Sequence, residues 1–423
     1  MEGELSTQSL TNGRLNTASY TWPAEGIYRI PDWVYTSEEI FQREVREIFQ
    51  GKTWNFVGLE AEIPQPGDYR RAQIATTSVI VVRGKDGEIN VIENRCAHRG
   101  TEFCRARRGH VEAAFICPYH QWQYDLKGSL VSVPFRRGVK GKGGMPAEFK
   151  FEDNGLRKLK VATKCGLIFA SFSDQVEPLD SYLGPEVVSE IETMFKDRPV
   201  KILGFFRQRW PSNWKLYHEN LRDPNHASLL HVFLSTFGLF RPDNKVAQVV
   251  SACGRHSIGY SGKGDQQAND TTTQMSSFRA NLSLKDDRML GYTKEDEGPW
   301  SAAIQSIWPN CAIQRQVNAL AVREIVPKSP DEFHLMWTLL GYQDDTPEME
   351  VHRLRQANLI GPGGLVGVDD SEVLEYVRDG LHHSIPGAAV IRLGRERTGT
   401  TDTFISEAAI RSMYEYYRAT MGL

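Results

Sequence analysis

The chain lacks any run of about 20 apolar residues, the length a membrane-spanning helix needs. Its first residues, Met-Glu-Gly-Glu-Leu-Ser-Thr-Gln, also lack the basic and apolar regions of a secretory signal. A cytoplasmic location is the resulting expectation. Cysteine is scarce, with six among 423 residues (Cys96, Cys104, Cys117, Cys165, Cys253 and Cys311), too few for a disulfide scaffold. Neither sign of charge dominates: the formal net charge is -3, which gives nucleic acid no footing as a global partner. What remains, 40% hydrophobic and 24% charged residues, is the composition of an ordinary globular protein.

A chain of 423 residues exceeds what one hydrophobic core usually fills, so two domains, or one inserted in another, are expected. Residues 1–20, rich in Ser, Thr, Asn and Gly without period, read as a flexible arm. Over 37–50 the spacing predicts a helix, with Ser37 as cap, Glu38 and Glu39 in the first turn, and Ile40, Phe41, Val45, Ile48 and Phe49 as its apolar stripe. From 54 to 174 the pattern turns to short strands. Runs at 78–83 and 88–93 flank Lys85-Asp86-Gly87, a strong hairpin signal, and apolar runs at 159–162 and 166–172 continue it. Beyond 174 come a helix near 184–196, an irregular stretch over 258–300, strands near 319–325 and 334–341, and a helix from Ser371. No internal repeat is present. The fold class expected is α+β: an all-β domain at 54–174, inserted between an N-terminal helical part at 21–53 and a larger domain at 175–423.

Two of the cysteines sit beside histidines. Cys96-Ala97-His98-Arg99-Gly100 and Cys117-Pro118-Tyr119-His120 give Cys-x-His and then Cys-x-x-His, a donor set of two thiolates and two imidazoles in a pair of short loops. Zinc also takes two Cys and two His, but its sites usually pair Cys with Cys and His with His; alternation within each loop favours a [2Fe–2S] cluster. Gly100 and Pro118 suit tight loops, and Trp122 and Tyr124 are placed to cover a cluster from water, unless they are simply domain core.

A second constellation lies at 213–231. His226 and His231 are five positions apart, about 140° round a regular helix, so they converge on one metal only if the helix is widened or broken. Asp223-Pro224 reads as a helix cap followed by proline at the first helical position. Two His and one carboxylate leave open positions on iron(II), so a carboxylate from elsewhere is required. Asp369 and Asp370 are the candidates. Asp370 shares a helix face with Leu374, Val377 and Leu381, where a lone carboxylate would be costly without a cation, and is preferred as ligand over capping its helix.

These two constellations, in this order, resemble the large (alpha) subunit of Rieske non-haem iron aromatic-ring-hydroxylating oxygenases, from about Trp22 to the C-terminus. The resemblance implies a Rieske [2Fe–2S] domain inserted in a catalytic domain whose long antiparallel sheet is covered by helices. It implies Cys96, His98, Cys117 and His120 as cluster ligands and His226, His231 and Asp370 as iron ligands. It implies Asp223 as the carboxylate joining a cluster histidine of one chain, here His120, to an iron-ligating histidine of the next, here His226, hence a trimer. Asn220 resembles an asparagine near the iron, three rather than four positions before that aspartate. Within the family, the segments starting at Val57, Cys117 and Val133 resemble salicylate 5-hydroxylases, with anthranilate and terephthalate dioxygenases similar over the same span. That implies an aromatic carboxylate hydroxylated with O2 and electrons from NAD(P)H through reductase and ferredoxin. Conversion of salicylate to gentisate is the first expectation, cis-dihydroxylation of anthranilate or another benzoate the alternative, and a small beta subunit is implied as a partner.

An aromatic carboxylate calls for a positive residue near the iron, for which Arg323 and Gln316 are the candidates, although a structural ion pair would also account for Arg323. Basic residues at Arg105, Arg107 and Arg108, and at Arg136, Arg137, Lys140 and Lys142, offer a docking patch for an acidic ferredoxin or merely solvated loops. A Rieske electron carrier would need only the first constellation, and a zinc-stabilised binding protein would be colourless and iron-free.

Overall fold

The computed structural model describes residues 20–241, 244–262 and 270–423. Nearly all of the expected flexible arm, residues 1–19, lies outside the described residues. Among these, no helix is long and apolar enough to cross a membrane.

Two seven-stranded antiparallel sheets organise the chain. The first runs in the order Asn55–Leu59, Leu167–Ser171, Lys158–Lys164, Ile89–Glu93, Thr77–Arg83, Asp68–Ile74 and Arg108–His110. Its Asp86-Gly87 turn forms as the sequence signals, with Gly87 at φ 84° joining Thr77–Arg83 to Ile89–Glu93. A three-stranded sheet of Ala114–Ile116, Gln123–Asp125 and Leu130–Ser132 sits beside it and carries the second Cys/His loop.

The second large sheet orders Val200–Trp210, Glu332–Tyr342, Ala319–Ser329, Cys311–Gln316, Ala302–Ile307, Ser257–Ser261 and Val246–Val250. Here one expectation is corrected. Residues 257–261 form a strand rather than opening an irregular stretch, because pairing on both edges supplies what five residues containing a glycine do not show on their own. Short helices at Asp270–Thr273 and Asp287–Leu290 interrupt the rest of that stretch; 263–269 fall outside the described residues.

The N-terminal part belongs to the second body, as an insertion requires. Arg29–Pro31 pairs with Ala388–Val390, and Phe41, Ile48 and Phe49 join a core with Trp214, Tyr414 and Tyr417. The expected helix is Glu38–Glu44 continued by a wider π turn over Val45–Phe49, with Ser37 Oγ accepting from Ile40 N at 3.2 Å.

The two bodies share buried surface. Trp54, just before the first sheet, and Phe56 and Phe169 within it pack in one cluster with Tyr182, Ile191 and Ile313. The Asn310 amide pairs with both the N–H and C=O of Phe56, each at 2.8 Å. Arg70 bridges them electrostatically, donating to Glu62 at 2.9 Å and to Glu324 at 2.6 Å with all three side chains under a tenth exposed. Arg70→Ala would strand Glu324 as a buried charge and is expected to destabilise the protein by about 3 kcal/mol, read as a lower urea midpoint.

Candidate metal centres and substrate cavity

The two Cys/His loops repeat one backbone pattern. Cys96 C=O accepts from Gly100 N (2.8 Å) and Cys96 N donates to Thr101 O (2.9 Å); Cys117 C=O accepts from Gln121 N (2.9 Å) and Cys117 N donates to Trp122 O (2.9 Å). Each loop turns through a left-handed residue, Gly100 (φ 70°) and Gln121 (φ 56°). The loops bring His98 and His120 to a ring separation of 4.5 Å. Cys96 and Cys117 are free and buried, and the buried Nδ1 of His98 has no partner. An unpaired imidazole nitrogen beside two free buried thiols fits the mixed ligand set of a Rieske cluster. Trp122 stacks on the His98 ring at 4.8 Å and 4°, and Tyr124 Oη lies 3.2 Å from Cys96 Sγ while accepting from Ala97 N at 3.0 Å. Both therefore shield the loops from water.

The second constellation forms where a helix breaks. Asp223 caps Pro224–Leu230, its Oδ1 accepting from Asn225 N (2.9 Å) and His226 N (3.3 Å). At His231 the backbone extends (φ -84°, ψ 95°) before helix Val232–Thr236 begins, so the 140° offset is removed by interruption rather than widening. Asp370 arrives on helix Gly367–His383, which starts earlier than the sequence pattern indicates and has Val366 at its cap; Asp370 is in its first turn, not capping it. Ligand atoms of His226, His231 and Asp370 lie within 4.8 Å of one another. Asp370 Oδ1 is 3.2 Å from His231 Nε2 and 3.5 Å from His226 Nε2, and it accepts from Asn220 Nδ2 at 3.0 Å.

Each histidine is also oriented from behind. His231 Nδ1 meets Asp369 Oδ2 at 3.1 Å, and His226 Nδ1 faces Asp223 Oδ2 at 3.7 Å. Burial opposes a charge on His226, yet the nearby carboxylates of Asp223 and Asp370 push it up to about 10. Burial likewise raises Asp370, but the two imidazoles hold it well below the usual carboxylate range. This much negative charge out of water calls for a cation, and two Nε2 atoms with one carboxylate oxygen suit iron(II).

A cavity opens from this triad across the second sheet. Gln316 and Arg323 both line it, as the sequence reading expects, together with Tyr217, Gln314 and Trp337. Arg323 is not in a structural ion pair among the described residues: Nη1 donates to Tyr217 Oη at 2.5 Å and Nη2 to Gln314 Oε1, while its buried Nε has no partner. Two contributors escaped the sequence reading. In the sequence Asp369 reads only as a candidate ligand, whereas it supports His231 from behind, and Gln314 gives no signal because its role depends on cross-strand neighbours. In the first basic patch, Arg108 pairs with Glu62 and lies 3.6 Å over the Phe205 ring and Arg107 reaches Met336, both toward the second sheet, while Arg105 and Arg107 stay exposed.

Comparison with known proteins agrees with this geometry. Residues 53–142 match the Rieske [2Fe-2S] domain model, and residues 199–423 the model of the ring hydroxylating alpha subunit (catalytic domain). The chain is 46% identical over 410 residues to the large oxygenase component of salicylate 5-hydroxylase from Ralstonia sp, covering 95% of this chain and 96% of that one. It is 42% identical to the anthranilate 1,2-dioxygenase large subunit of Burkholderia cepacia, with 95% of each covered. It is 40% identical to a terephthalate 1,2-dioxygenase terminal oxygenase subunit of Comamonas sp, covering 95% and 97%. The fold matches naphthalene 1,2-dioxygenase from Rhodococcus sp. with a TM-score of 0.78 at 24% identity over 94% and 96% of the two chains.

Three outcomes are expected. Asp370→Ala should lose the mononuclear metal and Asp369→Ala should weaken its binding about 10- to 100-fold, measured by metal titration with the cluster absorption unchanged. Tyr124→Phe removes a hydroxyl from Cys96 Sγ and should lower the cluster potential by about 40 mV, the equivalent of roughly 1 kcal/mol, in a redox titration.

Proposed function

From the premise that this chain belongs to the alpha subunits of Rieske ring-hydroxylating oxygenases, we propose that it hydroxylates an aromatic carboxylate, converting salicylate to gentisate. The family makes it an enzyme whose cofactors are a [2Fe–2S] cluster and a mononuclear iron. The relatives most like it act, by their names, on salicylate, anthranilate and terephthalate.

The observation that carries the substrate class is Arg323. Its side chain is buried in the cavity that holds the metal triad, and its hydrogen-bond partners are neutral. Burial pushes the Tyr217 phenol up to about 12, so that partner supplies no negative charge near neutral pH. Trp337 packs against the guanidinium face at 4.7 Å, leaving its edge to recognise an anion. A guanidinium out of water without a counter-charge is costly, and a substrate carboxylate removes that cost while fixing the ring relative to the triad.

In this reading Cys96, His98, Cys117 and His120 hold the cluster, and His226, His231 and Asp370 hold the iron. The two centres supply single electrons and a site for dioxygen. Asn220 steadies Asp370, and Asp223 steadies His226 while its side chain stays partly exposed, open to the partner subunit's His120 in a ring of three chains. Electrons come from NAD(P)H through a reductase and a ferredoxin, which docks by its acidic face on the basic loop 136–142. A small beta subunit completes the assembly.

Product analysis after single turnover of the reduced, iron-loaded protein tests this. Gentisate from salicylate is the expected result; catechol from anthranilate instead would move the chain to the dihydroxylating enzymes. Arg323→Met is expected to reduce kcat/KM for the carboxylate about 10- to 100-fold, mainly through KM, the effect of one lost charged hydrogen bond.

A further inference from the structure

Arg323, Gln314 and Gln316 stand in one line on the cavity face of the sheet. Gln314 and Gln316 are two apart on Cys311–Gln316 and so share a face, and Arg323 pairs with Ala312, which places it diagonally beside Gln314. Each of the three is under a tenth exposed. Their hydrogen bonds form a relay: Arg323 Nη2 donates to Gln314 Oε1, and Gln314 Nε2 donates to Gln316 Oε1 at 2.7 Å.

The direction of this relay is forced. A guanidinium has donors only, so Gln314 must turn its carbonyl oxygen to Arg323. Its amide nitrogen is then left facing Gln316, which must answer with its own carbonyl oxygen. Both glutamine oxygens are thereby used within the relay, and what is left for the cavity is the Gln316 amide N–H together with the free N–H groups of Arg323. These three residues consequently turn hydrogen-bond donors toward the cavity and their acceptor oxygens toward one another.

We propose that Gln314 is a positioning residue that sets substrate specificity: through the Arg323–Gln314–Gln316 relay it makes the wall select rings bearing a carboxylate and a second oxygen, and reject rings presenting donors there. This deepens the function proposed above and rests on it. Arg323 binds the carboxylate, and Gln316 Nε2 donates to the second oxygen. An arene whose carboxylate is replaced by a primary amide keeps one acceptor oxygen but exchanges the other for an NH2 group and loses the charge, leaving one buried donor facing a donor.

Gln314→Glu reverses the relay. The new carboxylate accepts from Arg323 on one oxygen and from Gln316 Nε2 on the other, which neutralises Arg323 and turns the Gln316 oxygen into the cavity. The test measures kcat/KM for salicylate and salicylamide with wild type, Gln314→Glu and Gln314→Met, after cluster absorption and iron content have shown each protein to be loaded. The expected result is a fall of about 10-fold or more in the salicylate-to-salicylamide ratio for Gln314→Glu, and a smaller fall for Gln314→Met, which keeps the volume and removes both hydrogen bonds. Should Gln314→Glu fail to fold, the Gln314→Met ratio decides. Turnover of salicylate by wild type with a ratio unchanged in the variants would overturn the relay alone. No turnover of aromatic carboxylates by loaded wild type would overturn the functional reading and the relay with it.

Discussion

Asp370 is a carboxylate brought out of water against two imidazoles, with two more aspartates behind those imidazoles. Isolated in a protein interior such charge costs several kcal/mol, and the surrounding structure is arranged so that a cation can share it. Asp223 starts the helix that carries His226, the extended backbone at His231 brings the second imidazole round, and helix Gly367–His383 enters from the far end of the chain with two adjacent aspartates. Moving any of these elements leaves a buried carboxylate or imidazole without its partner. The same requirement recurs in opposite sign across the cavity, where Arg323 is a buried cation with neutral hydrogen-bond partners. One cavity thus holds a site short of positive charge and a site short of negative charge, which suits a metal and an anionic substrate.

What was legible in the sequence was chiefly local. Cys96, His98, Cys117 and His120 announce themselves because their ligand spacing depends on short loops, and the same loops then repeat a single backbone pattern. The need for a widened or broken helix between His226 and His231 follows from helical geometry alone, and the structure takes the break. Asp370 could be preferred from a helix face, although the helix begins before the apolar stripe that reveals it. Gln314 was invisible for a different reason: on a strand it is one buried polar residue among several, and its meaning arises from Arg323 on the neighbouring strand. Strand Ser257–Ser261 was missed likewise, since pairing partners rather than its own residues make it a strand.

The junction of the two bodies shows how a cluster domain is held at a fixed attitude. Asn310 engages the backbone of Phe56 as a neighbouring strand would, and Arg70 ties the first sheet to Glu324 of the second. Apolar burial supplies the larger attraction, being non-directional, whereas these polar links specify one orientation.

Strand Arg29–Pro31 completes its ladder only with Ala388–Val390, about 360 residues later. During synthesis at roughly 5 to 20 residues per second, the first strand waits about 20 to 70 s for its partner. The first sheet is complete in sequence at Ser171, so both Cys/His loops have been made long before helix Gly367–His383 supplies Asp370. The later body stays open, with its apolar core unsatisfied, until the last helix, Ala408–Met421, has left the ribosome.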